Sequence, residues 1–376
     1  MKDNKLPDLV PGEEANDRYL RFEIAECNVM SCVGSFGRIR DTLGIPIMPL
    51  MTVYDFFIKR ALDQYFYNLY WKSSYICVGT PSGVTLSPEG AQHGWKSDFQ
   101  IPNQITWEPF FCQELDWIFC ESIKRHVLND NAGRNGVLIR GVTRGAEQKD
   151  MMTYLKMQRR FKDMSSDTAI CRSSFTLDGA TSEEQIPTIP ESEILETIRH
   201  EVLSGAYYLI DYRGYTGYEP GENVVHLFSM GSPTTEAIKA SEELLARGIY
   251  ANVIVVTSPD LVCGILAHEN DYAYLKTGLQ INSQLYIRTP ENMQAEELVT
   301  ISGKRIPIVS VHDGEAGLLD NLGSIIGVKQ ISCAVRKHSK VGRPLTALSR
   351  PVEKPLQKRL WKKLWCQDLK SQPHKA

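Results

Sequence analysis

The sequence has no long apolar run and no surplus of positive charge. Its 376 residues carry a formal net charge of −3, which gives no general electrostatic attraction to nucleic acid. No apolar stretch is long enough to span a bilayer. The cysteines number nine, an odd count, and none stands in a C-x-x-C pair. That excludes a fully paired disulfide framework and the usual zinc spacings. Most of them lie in apolar runs, as buried free thiols do, which fits a reducing compartment. The opening "MKDNKLPDLVPGEEANDRY" is polar and lacks the apolar core of a secretory signal. The expectation is a soluble, cytoplasmic chain.

Several catalytic motifs are also missing. No G-x-x-x-x-G-K-[ST] occurs, because "SGKRI" lacks the hydroxyl residue and the upstream glycine. "GSFGRI" and "GSPTTE" are too short for a dinucleotide fingerprint, and "HENDY" lacks the second histidine of a zinc protease. "GTPSGVTLSPEG" contains G-x-P-S-G rather than the G-x-S-x-G of a serine hydrolase elbow.

What is present is an α/β pattern. Apolar residues make up 42% and charged residues 23%, enough for a substantial core, and the length suits two domains. Composition divides the chain into a polar segment 1–17, an α/β unit 18–145, a polar connection 146–190, a second α/β unit 191–345 and a basic tail 346–376. A helix is expected over about Glu26–Phe36 and another, after an extended lead, within "GIPIMPLMTVYDFFIKRALDQYFYNLYWK". "YICVGT" and "GVLIRGVT" read as buried parallel strands, and "WEPFFCQELDWIFCESIKRHVL" as an amphipathic helix. "NVVHLFSMGSPTTEAIKASEELLARGIYANVIVVTS" is a strand, a turn, a helix and a strand, and "IPIVSVHDGEAGLLDNLGSIIG" adds another strand and helix. Alternating strands and helices imply parallel sheets covered by helices. In the tail, Leu356, Leu360, Trp361, Leu364 and Trp365 share a helical face. Such a helix can meet a membrane surface or an acidic partner. Packing of that face on the body of the same protein is the plainer reading.

Two places carry candidate chemistry. Glu26 stands among Phe22, Ile24, Ala25, Cys27, Val29 and Met30, where an unpartnered carboxylate costs ~2–7 kcal/mol or more to desolvate. "VGTPSGVTLSPEGAQHG" follows a buried strand, is dense in Gly, Ser, Thr and Pro, and contains Glu89 and His93 four residues apart. The carboxyl end of a parallel strand is where α/β proteins place ligands. Read alone, a loop histidine is ordinarily solvated and "PEG" ordinarily a turn, so both roles stay open. The aromatics Tyr54 and Phe57 of "YDFF", read alone, are ordinary core residues.

Taken together in order, "FEIAECN", "TVYDFFIKRALDQ" and "VGTPSGVTLSPEGAQHG" resemble the pyrimidine-binding half of thiamine-diphosphate enzymes of the transketolase superfamily. The nearest likeness is to the homodimeric type of pyruvate dehydrogenase (2-oxo acid dehydrogenase) first component. It extends from Arg18 to about Pro344, since the later strands and helices resemble the C-terminal domain of that family. The resemblance implies two three-layer α/β/α domains, the first incomplete at its N-terminus. It implies that Glu26 hydrogen-bonds N1′ of the cofactor's aminopyrimidine and, from an apolar pocket that raises its pKa, shares a proton with it. The imino tautomer so favoured removes the thiazolium C2 proton. Tyr54 and Phe57 would contact the ring, His93 would face the 2-oxo acid, and Glu89 would orient His93 or serve as a turn residue.

The resemblance also implies what another chain must bring. The family's diphosphate and magnesium site uses G-D-G and an Asn about 25–30 residues later. The Asp-Gly pairs here, in "LDGATSE" and "HDGEAG", lack the leading Gly and an Asn near that spacing. The expectation is therefore a β-type subunit of an acetyl-transferring oxidoreductase. Its thiamine diphosphate would be shared with an α-type subunit that carries the G-D-G domain and binds Mg2+. A dihydrolipoyl acyltransferase would be a further partner and a small 2-oxo acid the substrate. A non-catalytic, degenerate paralogue that regulates or scaffolds a related enzyme is the alternative. Ketol transfer on the same fold is another, although "GAQH" fits the dehydrogenase type better than the "GPTHQ" of transketolases.

Overall fold

Two β-sheets organise the chain. The computed structural model describes residues 20, 22, 24–82, 102–130, 135–142, 146–162, 188–281, 285–287, 299–301 and 305–335. The expected polar segment 1–17, the basic tail 346–376 and the "LDG" pair lie outside the described residues. The first sheet contains β1 (Leu50–Val53), β2 (Tyr75–Ser82), β3 (Gln104–Trp107) and β4 (Gly136–Val142), all parallel, in the order β1-β2-β4-β3. Both faces are covered, which is why "YICV" and "GVLI" read as continuous apolar runs. Tyr75, Cys77 and Leu138 face one core, whereas Ile76, Val137 and Ile139 face another.

Helices α1 (Glu26–Gly37), α2 (Ile39–Leu43), α3 (Leu62–Tyr70) and α4 (Cys112–Leu128) belong to this unit. Contacts of α1 and α3 with each other and with β1 and β2 build the first face, while Ile118 of α4 joins the second. The small residues of "SCVGSFG" let α1 approach α3 closely: a Cβ at Gly34 would lie 1.9 Å from Asn68 Oδ1. That side chain in turn donates to the Met30 carbonyl at 2.8 Å.

Helices α5 (Gln148–Met157) and α6 (Glu191–Leu203) follow. Helix α5 falls in the expected polar connection, and its apolar positions Met151 and Leu155 are fully buried. The second sheet contains β5 (Ala206–Ile210), β6 (Val224–Ser229) and β7 (Tyr250–Val256). Helix α7 (Thr234–Leu245) connects β6 to β7 and completes the expected strand–helix–strand unit. Strands β8 (Leu285–Ile287) and β9 (Val299–Ile301) pair separately. With β10 (Ile308–Glu315) and β11 (Gln330–Val335), the sheet runs β11-β10-β6-β7-β5, and β5 is its antiparallel edge. The "HDG" of "HDGEAG" lies within strand β10. Among the described residues, no helix is long and apolar enough to cross a membrane.

One continuous apolar cluster joins the two sheets. Ile105, Trp107 and Ile118 come from the first unit, and Ile194, Ile198, Tyr207, Leu209, Val225 and Leu227 from the second. Strand β3 lies at this junction and is buried at all four positions. Its Thr106 N–H donates to Asp260 Oδ2 at 2.7 Å, and the Glu108 N–H that follows donates to the Thr257 carbonyl at 2.8 Å. Neither β3 nor β5 is expected from the sequence. "QITW" is too short to show a period, and "AYYLI", an apolar run like those of β2 and β4, is separated from helix α6 by Ser204 and Gly205 alone.

Charge is buried at the same junction. Arg140 of β4 is 1% exposed, and its Nη2 donates to Asp55 Oδ2 at 2.5 Å. Its Nε lies 3.6 Å from Glu108 Oε2. Glu108 in turn abuts Gly231, at φ +66° in the turn after β6, where a Cβ would meet Glu108 Oε1 at 1.9 Å. Only glycine combines that backbone conformation with that approach.

Two further carboxyls are buried here. Glu114 accepts the Phe110 and Phe111 N–H groups at the start of α4 and the Tyr207 hydroxyl from β5. Burial nevertheless pushes its pKa up to about 7, and that of Asp260 also to about 7.

These charges set the expected response to mutation and to pH. Arg140→Met removes the guanidinium from between two buried carboxylates and lowers unfolding free energy by about 3–5 kcal/mol in urea titrations. Adding Asp55→Asn and Glu108→Gln to that variant recovers part of the loss; no recovery would mean that the guanidinium's packing, not its charge, is what matters. For Glu114 and Asp260 the folded pKa lies above the unfolded one, so the folded state binds more protons between them. Their contribution is full at low pH and falls as pH rises through about 7. Glu114→Gln and Asp260→Asn are therefore each expected to flatten the decline in unfolding free energy between about pH 4 and 7, by about 1–2 kcal/mol relative to wild type.

Candidate functional site

Glu26 is the first residue of α1, where the partial positive charge of a helix N-terminus favours a carboxylate. Its surroundings differ from the apolar pocket expected. Ile24 is 82% exposed, and Cys27 and Asn28 are exposed. The apolar side of α1 turns toward α3 only from Met30 onward, through Val33, Gly34 and Gly37. The Glu26 side chain is 12% exposed, and its Oε1 lies 3.5 Å from Nη1 of Arg60. A cation, rather than an apolar wall, is its near neighbour.

Tyr54 and Phe57 stand at a 3-10 helix over Asp55–Ala61, for which Tyr54 is the N-cap. The Phe57 N–H donates to the Tyr54 carbonyl at 2.8 Å. Three residues per turn place positions 54, 57 and 60 in one column, which an α-helix would fan apart. The two rings are tilted by 56° with centroids 5.1 Å apart, and the Arg60 guanidinium carbon lies 3.8 Å from the Phe57 centroid. Cys27 Sγ donates to the Arg60 carbonyl at 3.1 Å and ties the start of α1 to the end of that helix. Asp55, next to Tyr54, is held from below by Arg140.

The structure sets Tyr54 against Phe57 and links Glu26 to Phe57 through Arg60, which sequence reasoning missed. The available signal was "YDFFIKR", with a cation three residues after Phe57. Arg140 gave less warning, since Asp55 lies 85 positions away in sequence and Glu108 belongs to a different element. Glu89 and His93 lie outside the described residues. Among the described residues, no group of three or more His, Cys, Asp or Glu is placed to hold a metal ion. Chemically, an aromatic face and a carboxylate bridged by one guanidinium suit a flat ligand that stacks on the ring and presents an N–H edge to the acid.

No family model and no curated protein matches the chain by sequence. Among solved structures it is similar to the transketolase of Campylobacter jejuni, with a TM-score of 0.55 at 13% identity over 91% of this chain and 39% of that one. It is similar to the transketolase of Leishmania mexicana, with a TM-score of 0.55 at 12% identity over 91% of this chain and 37% of that one. A transketolase variant from Pichia stipitis gives 0.50 at 13% identity over 85% and 34%. The chain spans about two fifths or less of the length of these proteins. Its two helix-covered sheets form a transketolase-like α/β fold.

Proposed function

We propose that this chain is the ring-binding, β-type half of a thiamine-diphosphate-dependent 2-oxo acid dehydrogenase. A partner chain would hold the diphosphate and Mg2+. The observation that carries the reading is that Glu26 and the Tyr54–Phe57 pair are bridged by one side chain, Arg60. The fit is supported by Arg60: a planar group with N–H donors already lies on Phe57 and against Glu26. The cofactor, when bound, supplies the electron sink for decarboxylating a 2-oxo acid.

The remaining work falls to this chain's residues. Glu26 shares a proton with a ring nitrogen at its carboxylate oxygens. Tyr54 and Phe57 orient the ring, each contact contributing about 0.5–1.5 kcal/mol. Asp55, fixed by Arg140, keeps the 3-10 helix in register with α1. His93 would serve as the substrate-side hydrogen-bond donor, and Glu89 would orient it or serve as a turn residue. The acyl group would pass to a lipoyl carrier on a dihydrolipoyl acyltransferase.

The contact between Arg60 and Glu26 favours a second reading, in which the ring site is occupied by the chain's own side chain and the protein regulates a related enzyme without turnover. Reconstitution distinguishes the two. Mixed with a chain bearing the G-D-G domain, the protein is expected to decarboxylate a 2-oxo acid, and Glu26→Gln to lower kcat by about 100-fold or more. A complex whose rate is indifferent to Glu26→Gln would favour the regulatory reading. Turnover of sugar phosphates but not of pyruvate or longer 2-oxo acids would indicate ketol transfer.

A further inference from the structure

Arg60 engages both features of the ring site at once. Its guanidinium lies 3.8 Å from the Phe57 centroid while Nη1 reaches to 3.5 Å from Glu26 Oε1. A guanidinium is flat, delocalised and edged with N–H donors. A protonated aminopyrimidine has the same three properties. Two such groups cannot share one ring face and one carboxylate.

We propose that Arg60 is a specificity-determining competitor for the ring position: a ligand ring reaches Phe57 and Glu26 only as the guanidinium swings away. The proposal rests on the reading that Glu26, Tyr54 and Phe57 receive an aminopyrimidine. The side chain of Arg60 is 51% exposed, so release returns its charge to water at little penalty. The backbone beneath it stays in place, because Cys27 holds the Arg60 carbonyl and Arg140 holds Asp55. Movement is thereby confined to the arginine stem. The competition also selects among ligands. A flat ring that only stacks replaces the contact with Phe57 but leaves Glu26 with Arg60. A ring that also donates N–H to the carboxylate replaces both contacts, and is preferred.

The test uses the full chain with two probes, 4-amino-5-hydroxymethyl-2-methylpyrimidine and its 4-oxo analogue, and reads dissociation constants by saturation-transfer NMR. Arg60→Gln, which keeps most of the stem, is expected to tighten the aminopyrimidine about 3- to 10-fold. It should also narrow the gap between the two probes. Arg60→Lys, which keeps charge without the planar group, is expected to fall between. In the wild type, the Arg60 Nε–H resonance should shift as the aminopyrimidine is added. Glu26→Gln and Phe57→Leu serve as companions, with circular dichroism confirming that each variant is folded. Unchanged or weaker binding in Arg60→Gln overturns the competitor role, while losses in the two companions still uphold the ring site. Equal binding by wild type and both companions, or no binding by any folded variant, overturns the ring reading and the competitor role with it.

Discussion

The buried guanidinium of Arg140 is the constraint on which the rest of the arrangement depends. It rises from β4 between two carboxylates, one beside Tyr54 on the 3-10 helix and the other just beyond β3. A pair of this kind gains little over well-packed apolar residues, yet breaking it leaves a charge without compensation. Its consequence here is geometric. Asp55 cannot drift without uncovering Arg140, so the first turn of the 3-10 helix has one position. Glu108 cannot drift either, because Gly231 closes against it. One cation thus fixes both the aromatic pair and the junction with the second sheet.

The choice of a 3-10 helix over residues 55–61 is the next step in the same chain of causes. Local sequence favours no break between "DFFIKRA" and "LDQYFYNLY", and the apolar spacing reads as one helix. Tight winding of the first part brings positions 54, 57 and 60 into one column facing α1. The following α3 then returns to the wider winding that packs Tyr65 and Leu69 into the core. The anchored Asp55 sets where the tight segment begins.

Much of the fold was legible in the sequence, for physical reasons that differ by element. Strands β2 and β4 announce themselves because burial on both faces demands unbroken apolar runs. Helix α4 reads as amphipathic from its apolar spacing, yet the stripe it buries is Glu114, Ile118, Ser122 and His126, while Leu115, Ile123 and Val127 are exposed. Strand β3 carries too few residues for either signal, and β5, though an apolar run, is separated from helix α6 by Ser204 and Gly205 alone. Glu26, Tyr54 and Phe57 could be grouped only through the order of three motifs. The environment of Glu26 was not legible: apolar neighbours in sequence suggested a dry pocket, whereas Ile24 and Cys27 turn outward and a cation from the 3-10 helix approaches instead.

That difference alters how the carboxylate must be understood. In a dry pocket, desolvation would be the influence that a ring nitrogen relieves. Beside Arg60, a ligand must instead replace an existing charge-assisted contact, so its gain is the difference between two similar partners. Differences of that kind are small and easily tuned by what surrounds the pair. The exposed half of Arg60 is where such tuning would act, since a partner surface laid against it would alter its hydration without touching Phe57, Glu26 or the Arg140 anchor beneath them. On the proposed reading, affinity at the ring site would depend on how this chain is covered as well as on its own residues.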